Sequence, residues 1–137
     1  MNLKTLTLLT FGLLVWTSSF GQRTLIHGKI IDEKFENVIG GVITNKATGD
    51  KVYSGSSGQF QINATTSDTL VFEFIPFTTE TRIVTNPTEK LKIILMDKEV
   101  NCLGAVWTDK QYKQANKRIN KRYKDLYNQA DKLNKFN

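Results

Sequence analysis

Short runs of Val, Ile, Phe and Thr alternate with turn residues over most of the chain, from Arg23 to Thr108. Runs of this kind, separated by Gly, Asn, Asp and Ser, are typical of β-strands. The pattern predicts strands at Thr24–Asp32, Val38–Lys46, Lys51–Ser54, Gln59–Asn63, Thr69–Ile75, Thr78–Val84 and Lys90–Met96, with an eighth at Asn101–Thr108. No helical period interrupts this part, so we expect a mainly β fold, a seven- to eight-stranded antiparallel β-sandwich.

Alternation within a strand predicts which side chains face the core. Leu70, Phe72 and Phe74 are all apolar. Positions 71, 73 and 75 alternate with them and include the charged Glu73. We expect the first set to face the core and the second to face the wetter side. Phe60 alternates with polar neighbours in the same way and is a second expected core residue.

After Thr108 the hydrophobic period changes from that of a strand to that of a helix. Apolar residues now recur at steps of three and four, at Tyr112, Ala115, Ile119, Tyr123, Leu126, Tyr127, Ala130 and Leu133. They form one stripe about 120° wide, and most lysines of this segment lie on the opposite side. We expect an amphipathic C-terminal α-helix that begins with Asp109 as its N-cap and reaches Phe136.

The beginning of the chain has the pattern of a secretory signal peptide. Lys4 supplies a positive charge, residues 6–16 form an apolar run, and the small residues Ser19 and Gly21 precede Gln22. The run is 11 residues long, and a membrane-spanning helix needs about 20. We expect a signal peptide over 1–21, a sandwich domain over 22–108 and a helical tail over 109–137, with a retained anchor as the alternative.

The net charge of +6 is unevenly distributed. Residues 1–108 contain ten Lys/Arg and ten Asp/Glu, whereas residues 109–137 contain nine Lys/Arg and three Asp/Glu. The tail is therefore the basic part of the protein, and its partners can differ from those of the sandwich.

Several short motifs follow one another at intervals that are characteristic of a known family. They are Gly28–Asp32, Ile39–Thr44, Gly49, Gly58–Ile62, Asp68–Phe72 and Leu91–Leu95. Over about residues 24–108 the chain resembles the carboxypeptidase regulatory-like domain, a transthyretin-like β-sandwich common in exported proteins of Bacteroidota. In that family a glycine is usual where this chain has Pro76, so we expect a turn of a different type there.

The resemblance also extends to Leu103–Trp107, a segment that in TonB-dependent outer-membrane receptors precedes the plug and the barrel. Ala105 replaces the acidic residue that this segment usually contains, and fewer than 35 residues follow Leu103. We therefore expect a stand-alone copy of the domain, not a receptor.

The residue types needed for catalysis are sparse. His27 is the single histidine, so neither a zinc carboxypeptidase nor a histidine-rich hydroxyisourate hydrolase is expected. Cys102 is the single cysteine and is expected to be buried and inert. Asp32, Glu33 and Glu36 cluster near the first turn, where a cation site or an acid/base pair competes with a solvated turn, which we favour. We expect no enzyme activity, no cofactor and no metal.

The tail provides the candidate binding residues, namely Tyr112, Ile119, Tyr123, Leu126 and Leu133. Its apolar stripe is expected to pack on the sandwich or on a protein partner of the cell envelope, because apolar surface is costly to leave in water. An anionic envelope surface facing the lysines is the alternative. Neither nucleic acid as a partner nor a transmembrane span in the mature chain is expected.

These observations favour a non-catalytic exported module, periplasmic or associated with the outer membrane, that binds a protein partner. A carbohydrate-binding role is the first alternative, with Phe35, Tyr53 and Phe77 as candidate aromatic contacts. A hydrolase that uses the carboxylates is the second.

Intact-mass measurement of the exported protein tests the signal peptide. The mature chain should lack Met1–Gly21 and begin with Gln22, because the residues before that bond suit a signal peptidase. A full-length chain recovered from the membrane fraction would contradict this prediction.

Overall fold

The computed structural model describes residues 23–98 and 108–137. Its elements are β1 (Thr24–Asp32), β2 (Val42–Asn45), β3 (Lys51–Tyr53), β4 (Gln59–Ala64), β5 (Thr69–Glu73), β6 (Glu80–Ile83), β7 (Leu91–Leu95) and α1 (Asp109–Lys132). The predicted signal peptide and most of the predicted eighth strand lie outside the described residues.

The seven strands form two sheets, which confirms the predicted β-sandwich. Sheet A has the order β4-β1-β7, and sheet B has the order β3-β2-β5-β6. Sheet B is antiparallel throughout, as expected, but β1 and β7 pair in parallel, with Ile30 opposite Ile93. The parallel pair arises because the chain leaves sheet B after β6 and enters sheet A beside β1 through a crossover, not a hairpin.

The main core lies between the two sheets. Phe60 and Phe72 are buried there, as predicted, and their rings meet edge to face at 5.5 Å between centroids. Phe74 is half-buried against the same core, and Ile75 is exposed. Val71, expected on the wetter face, is only 7% exposed. It lies on the central strand β5, where Thr44 of β2 and Thr81 of β6 lie opposite it and flank its side chain on the same face.

A second hydrophobic layer joins α1 to the outer face of sheet A. Leu126 and Ala130 of α1 are buried with Phe136 against Ile31 and Ile94. The structure therefore has three layers, in the order sheet B, sheet A and helix. Of the alternatives for the apolar stripe, packing on the chain's own sandwich is the one that the structure adopts.

The two ends of α1 differ from the sequence prediction. Thr108, not Asp109, is the N-cap, and its backbone N–H donates to the Gln111 side chain at 2.8 Å. The helix ends at Lys132 instead of Phe136. Asn134 has a φ of +54°, the left-handed conformation that often ends a helix. This early end turns Phe136 back onto the sandwich.

A turn is present at Pro76, as predicted. The Phe77 N–H donates to the Phe74 carbonyl at 2.8 Å, and the Ile75–Pro76 peptide bond is cis. Beyond the turn, Phe77 pairs with Asp97 through an isolated bridge that connects the end of sheet B to the end of β7.

Replacing Gly28 by alanine should reduce the free energy of unfolding by about 1–3 kcal/mol. A Cβ at this position would lie 2.3 Å from the Phe60 ring and 2.9 Å from the Leu91 carbonyl oxygen, so the backbone of β7 has to shift. Urea unfolding measures the difference. Gly55→Ala is the matched control, because its Cβ would meet no atom closer than 3.7 Å. Equal stability of the two variants would contradict this packing.

Candidate functional site in the cleft between helix and sandwich

The hydroxyl of one tyrosine on α1 lies at the free edge of β7 and bonds its backbone. The Ile94 N–H donates to the Tyr127 hydroxyl at 3.1 Å, and that hydroxyl donates to the Lys92 carbonyl at 3.2 Å. Arg82 of β6 donates to the same oxygen at 3.0 Å, with its guanidinium 5.6 Å from the centre of the Tyr127 ring. One side chain thus connects α1 to the edge strands of both sheets.

Ion pairs and hydrogen bonds hold α1 and the segment that follows it. Near the middle of α1, Arg122 pairs with Glu33 at 2.9 Å. Near its end, Asp131 pairs with Lys92 at 2.6 Å. The Lys90 ammonium donates to the Phe136 carbonyl. Because several of these partners are solvent-exposed, we expect them to set the orientation of α1 more than its stability.

Between the N-terminal half of α1 and the end of the sandwich lies a cleft of about 740 Å³, here called the helix–sandwich cleft. One wall consists of α1 residues, and the other consists of the loop after β1 and the segments that flank β6 and β7. Its lining residues include Glu33, Thr78, Glu80, Met96, Asp97, Lys98, Tyr112, Arg118, Ile119, Arg122 and Tyr123.

The cleft combines an apolar floor with charged walls. Ile119, Tyr123 and Met96 supply apolar surface. Burial raises the pKa of the Tyr123 hydroxyl, so it remains a neutral hydrogen-bonding group at physiological pH, 3.5 Å from the Thr78 hydroxyl. This pairing of apolar surface with a few polar groups is common in ligand-binding clefts.

The charges around the cleft are only partly paired. Glu33 pairs with Arg122, and Glu80 pairs with Arg82. Within the described ranges no ion pair engages Arg118 or Lys98, whose side chains also line the cleft. The cleft therefore offers two cations that a ligand's carboxylate can reach without displacing an ion-pair partner.

The five residues predicted to bind a partner lie in three different environments. Tyr112, Ile119 and Tyr123 line the helix–sandwich cleft together. Leu126 is 9% exposed and packs against the chain's own sheet A, so most of its side chain serves the fold. Leu133 is 57% exposed and lies beyond the end of α1, away from the cleft. Partner contact stays a prediction for the three cleft residues and for Leu133.

Sequence reasoning did not identify the charged walls of the cleft. Arg118 and Arg122 are four residues apart, so they lie on one side of α1 beside Ile119. That spacing could have indicated a basic border to the apolar stripe. The contributions of Thr78 and Met96 had no signal in the sequence, because they reach the cleft only through the packing of α1 across β7.

The acidic cluster after β1 is a structural turn. One carboxylate oxygen of Asp32 accepts the N–H groups of Lys34 and Glu36, both at 2.9 Å. Glu33 turns instead toward Arg122 of α1. Among residues 23–98 and 108–137, no group of three or more His, Cys, Asp or Glu is placed to hold a metal ion. The solvated turn that we favoured needs one correction, since Asp32 is 9% exposed.

The three aromatic residues proposed as sugar contacts are not equivalent. Phe35 packs partly against the helix layer, and Phe77 packs partly against the main core. Tyr53, on β3, is 68% exposed. Only Tyr53 therefore presents its ring to solvent. His27 is exposed on the outer face of sheet A, within β1, as expected.

Within the described residues no helix is both long enough and apolar enough to cross a membrane. Neither a protein-family model nor a curated protein matches the chain. Among solved structures, the chain is similar to a chain of a type II cohesin–X-dockerin complex from Acetivibrio cellulolyticus, with 16% identity and a TM-score of 0.45. The match covers 60% of this chain and 63% of that one.

Proposed function

We propose that this protein is a non-catalytic binding module exported to the bacterial cell envelope, and that its helix–sandwich cleft holds an extended segment of a protein partner. The observation that supports this most is that Tyr112, Ile119 and Tyr123 line one cleft with Arg118. The signal-peptide pattern supports export, and the resemblance to the carboxypeptidase regulatory-like domain supports a module without catalysis.

The apolar part of the cleft sets the first requirement for the partner. Tyr112 is 56% exposed at the first turns of α1, and Ile119 and Tyr123 are half-buried farther along the same wall. An apolar or aromatic side chain of the partner would cover this surface and release water from it. Tyrosine is well suited to this contact, because it supplies a large rigid surface with a hydroxyl at one end.

Charge sets the second requirement. Arg118 has no ion-pair partner within the described part of the chain, and residues 109–137 carry nine basic and three acidic side chains. A carboxylate placed beside the apolar anchor would pair with Arg118 in a partly desolvated position. The expected partner segment is therefore acidic and carries an aromatic or large aliphatic residue.

Selection from a displayed library of 12-residue peptides tests the proposal, with affinities of the enriched peptides measured by fluorescence anisotropy. Enriched sequences should combine an acidic residue with an apolar anchor. Tyr112→Ala and Arg118→Ala should each weaken binding about tenfold, because each removes one directional contact. Both side chains are exposed, and circular dichroism checks that both variants are folded like the wild type.

A triple variant, Lys117→Gln with Lys121→Gln and Lys124→Gln, is the control for non-specific charge. It removes three positive charges from α1 and no residue of the cleft lining, so affinity should stay within about threefold. Binding lost only in this triple variant, and falling steeply with salt, would contradict the proposal and indicate an anionic surface as the target. Enriched peptides without acidic residues would contradict the role of Arg118.

A further inference from the structure

A second depression, of about 600 Å³, lies away from the helix–sandwich cleft and shares no lining residue with it. Tyr53 of β3 borders it together with His27 of β1 and the β4 side chains Gln59 and Gln61. Gly28 and Gly55 also line it, and because they have no side chains, they leave the depression open. Here it is called the Tyr53 depression.

The pairing of β1 with β4 brings its polar side chains together. His27 lies opposite Gln61 in the antiparallel register, and Gln59 is two residues before Gln61 on the same face of β4. All three side chains are exposed. Within residues 23–98 and 108–137, none of them makes a hydrogen bond, and neither does the Tyr53 hydroxyl. These side chains are therefore available to a ligand without loss of internal contacts.

The charge of the Tyr53 depression restricts the class of ligand. Among the described residues that line it there is no carboxylate, and the one ammonium group, that of Lys90, already donates to the Phe136 carbonyl. Two primary amides, an imidazole and a phenol remain, and each of these groups can both donate and accept hydrogen bonds. Such a set matches an uncharged ligand rich in hydroxyl groups, because every hydroxyl also donates and accepts.

We propose that the Tyr53 depression binds a neutral saccharide. The exposed Tyr53 ring packs against the C–H face of one sugar unit, with the ring's negative face toward the weakly positive hydrogens. Gln59, Gln61 and His27 bond the hydroxyl groups of the same or the next unit. Because this site is separate from the helix–sandwich cleft, saccharide binding here does not depend on peptide binding there.

Isothermal titration with neutral hexasaccharides tests the site, using cello-, laminari-, xylo-, manno- and chitohexaose as probes on the full mature chain. At least one should bind with a Kd at or below about 1 mM, a value common for shallow polar sites. Tyr53→Ala and Gln61→Ala should each weaken that binding about tenfold or more. Tyr53→Phe should retain most of the affinity if the ring is the main contact.

Asn63→Ala is the matched control for Gln61→Ala, because Asn63 is exposed on the same face of β4 and does not line the depression. It should leave saccharide affinity unchanged. Absence of binding by all five probes at concentrations of about 10 mM would overturn the proposal. So would binding that Tyr53→Ala and Gln61→Ala leave intact. Peptide binding at the helix–sandwich cleft should be unaffected by either variant.

Discussion

The free edges of β6 and β7 must be covered, and α1 supplies the cover through Tyr127. An uncovered edge strand presents unpaired N–H and C=O groups to solvent and to other chains. At β7 the Tyr127 hydroxyl accepts from the Ile94 N–H and donates to the Lys92 carbonyl, so a side chain of α1 replaces a missing strand. Since Arg82 of β6 bonds the same hydroxyl, one residue connects both sheets to the helix. The apolar stripe then covers Ile31 and Ile94 on the outer face of sheet A.

This docking also determines which part of α1 is available for function. The C-terminal half of the helix is occupied, with Leu126 and Ala130 buried and Asp131 paired to Lys92. The N-terminal half diverges from the sandwich and leaves the helix–sandwich cleft, where Tyr112 stays exposed. The lysines face solvent, where isolated charges contribute little to stability. One amphipathic helix thus serves the fold at one end and offers a binding surface at the other.

Much of the fold was predictable because strand and helix periods are local properties of the sequence. The bounds of β1, the burial of Phe60 and Phe72 and the existence of α1 all follow from them. The parallel pairing of β1 with β7 was not predictable, since it depends on a crossover between sheets. The site was predicted only in part. Tyr112 was identified from its period, whereas the burial of Leu126 depends on which face of α1 meets sheet A, and no single-sequence pattern specifies that.

Amide hydrogen exchange at Ile94 tests whether α1 covers the β7 edge through Tyr127. The Ile94 amide should be protected in the full chain, and Tyr127→Phe should accelerate its exchange about tenfold, because the acceptor oxygen is removed. The amide of Ile93 points toward β1 and serves as the internal reference, with a much smaller change expected. An Ile94 amide that exchanges at the rate of an open chain, or whose protection survives Tyr127→Phe, would show that Tyr127 does not cover this edge.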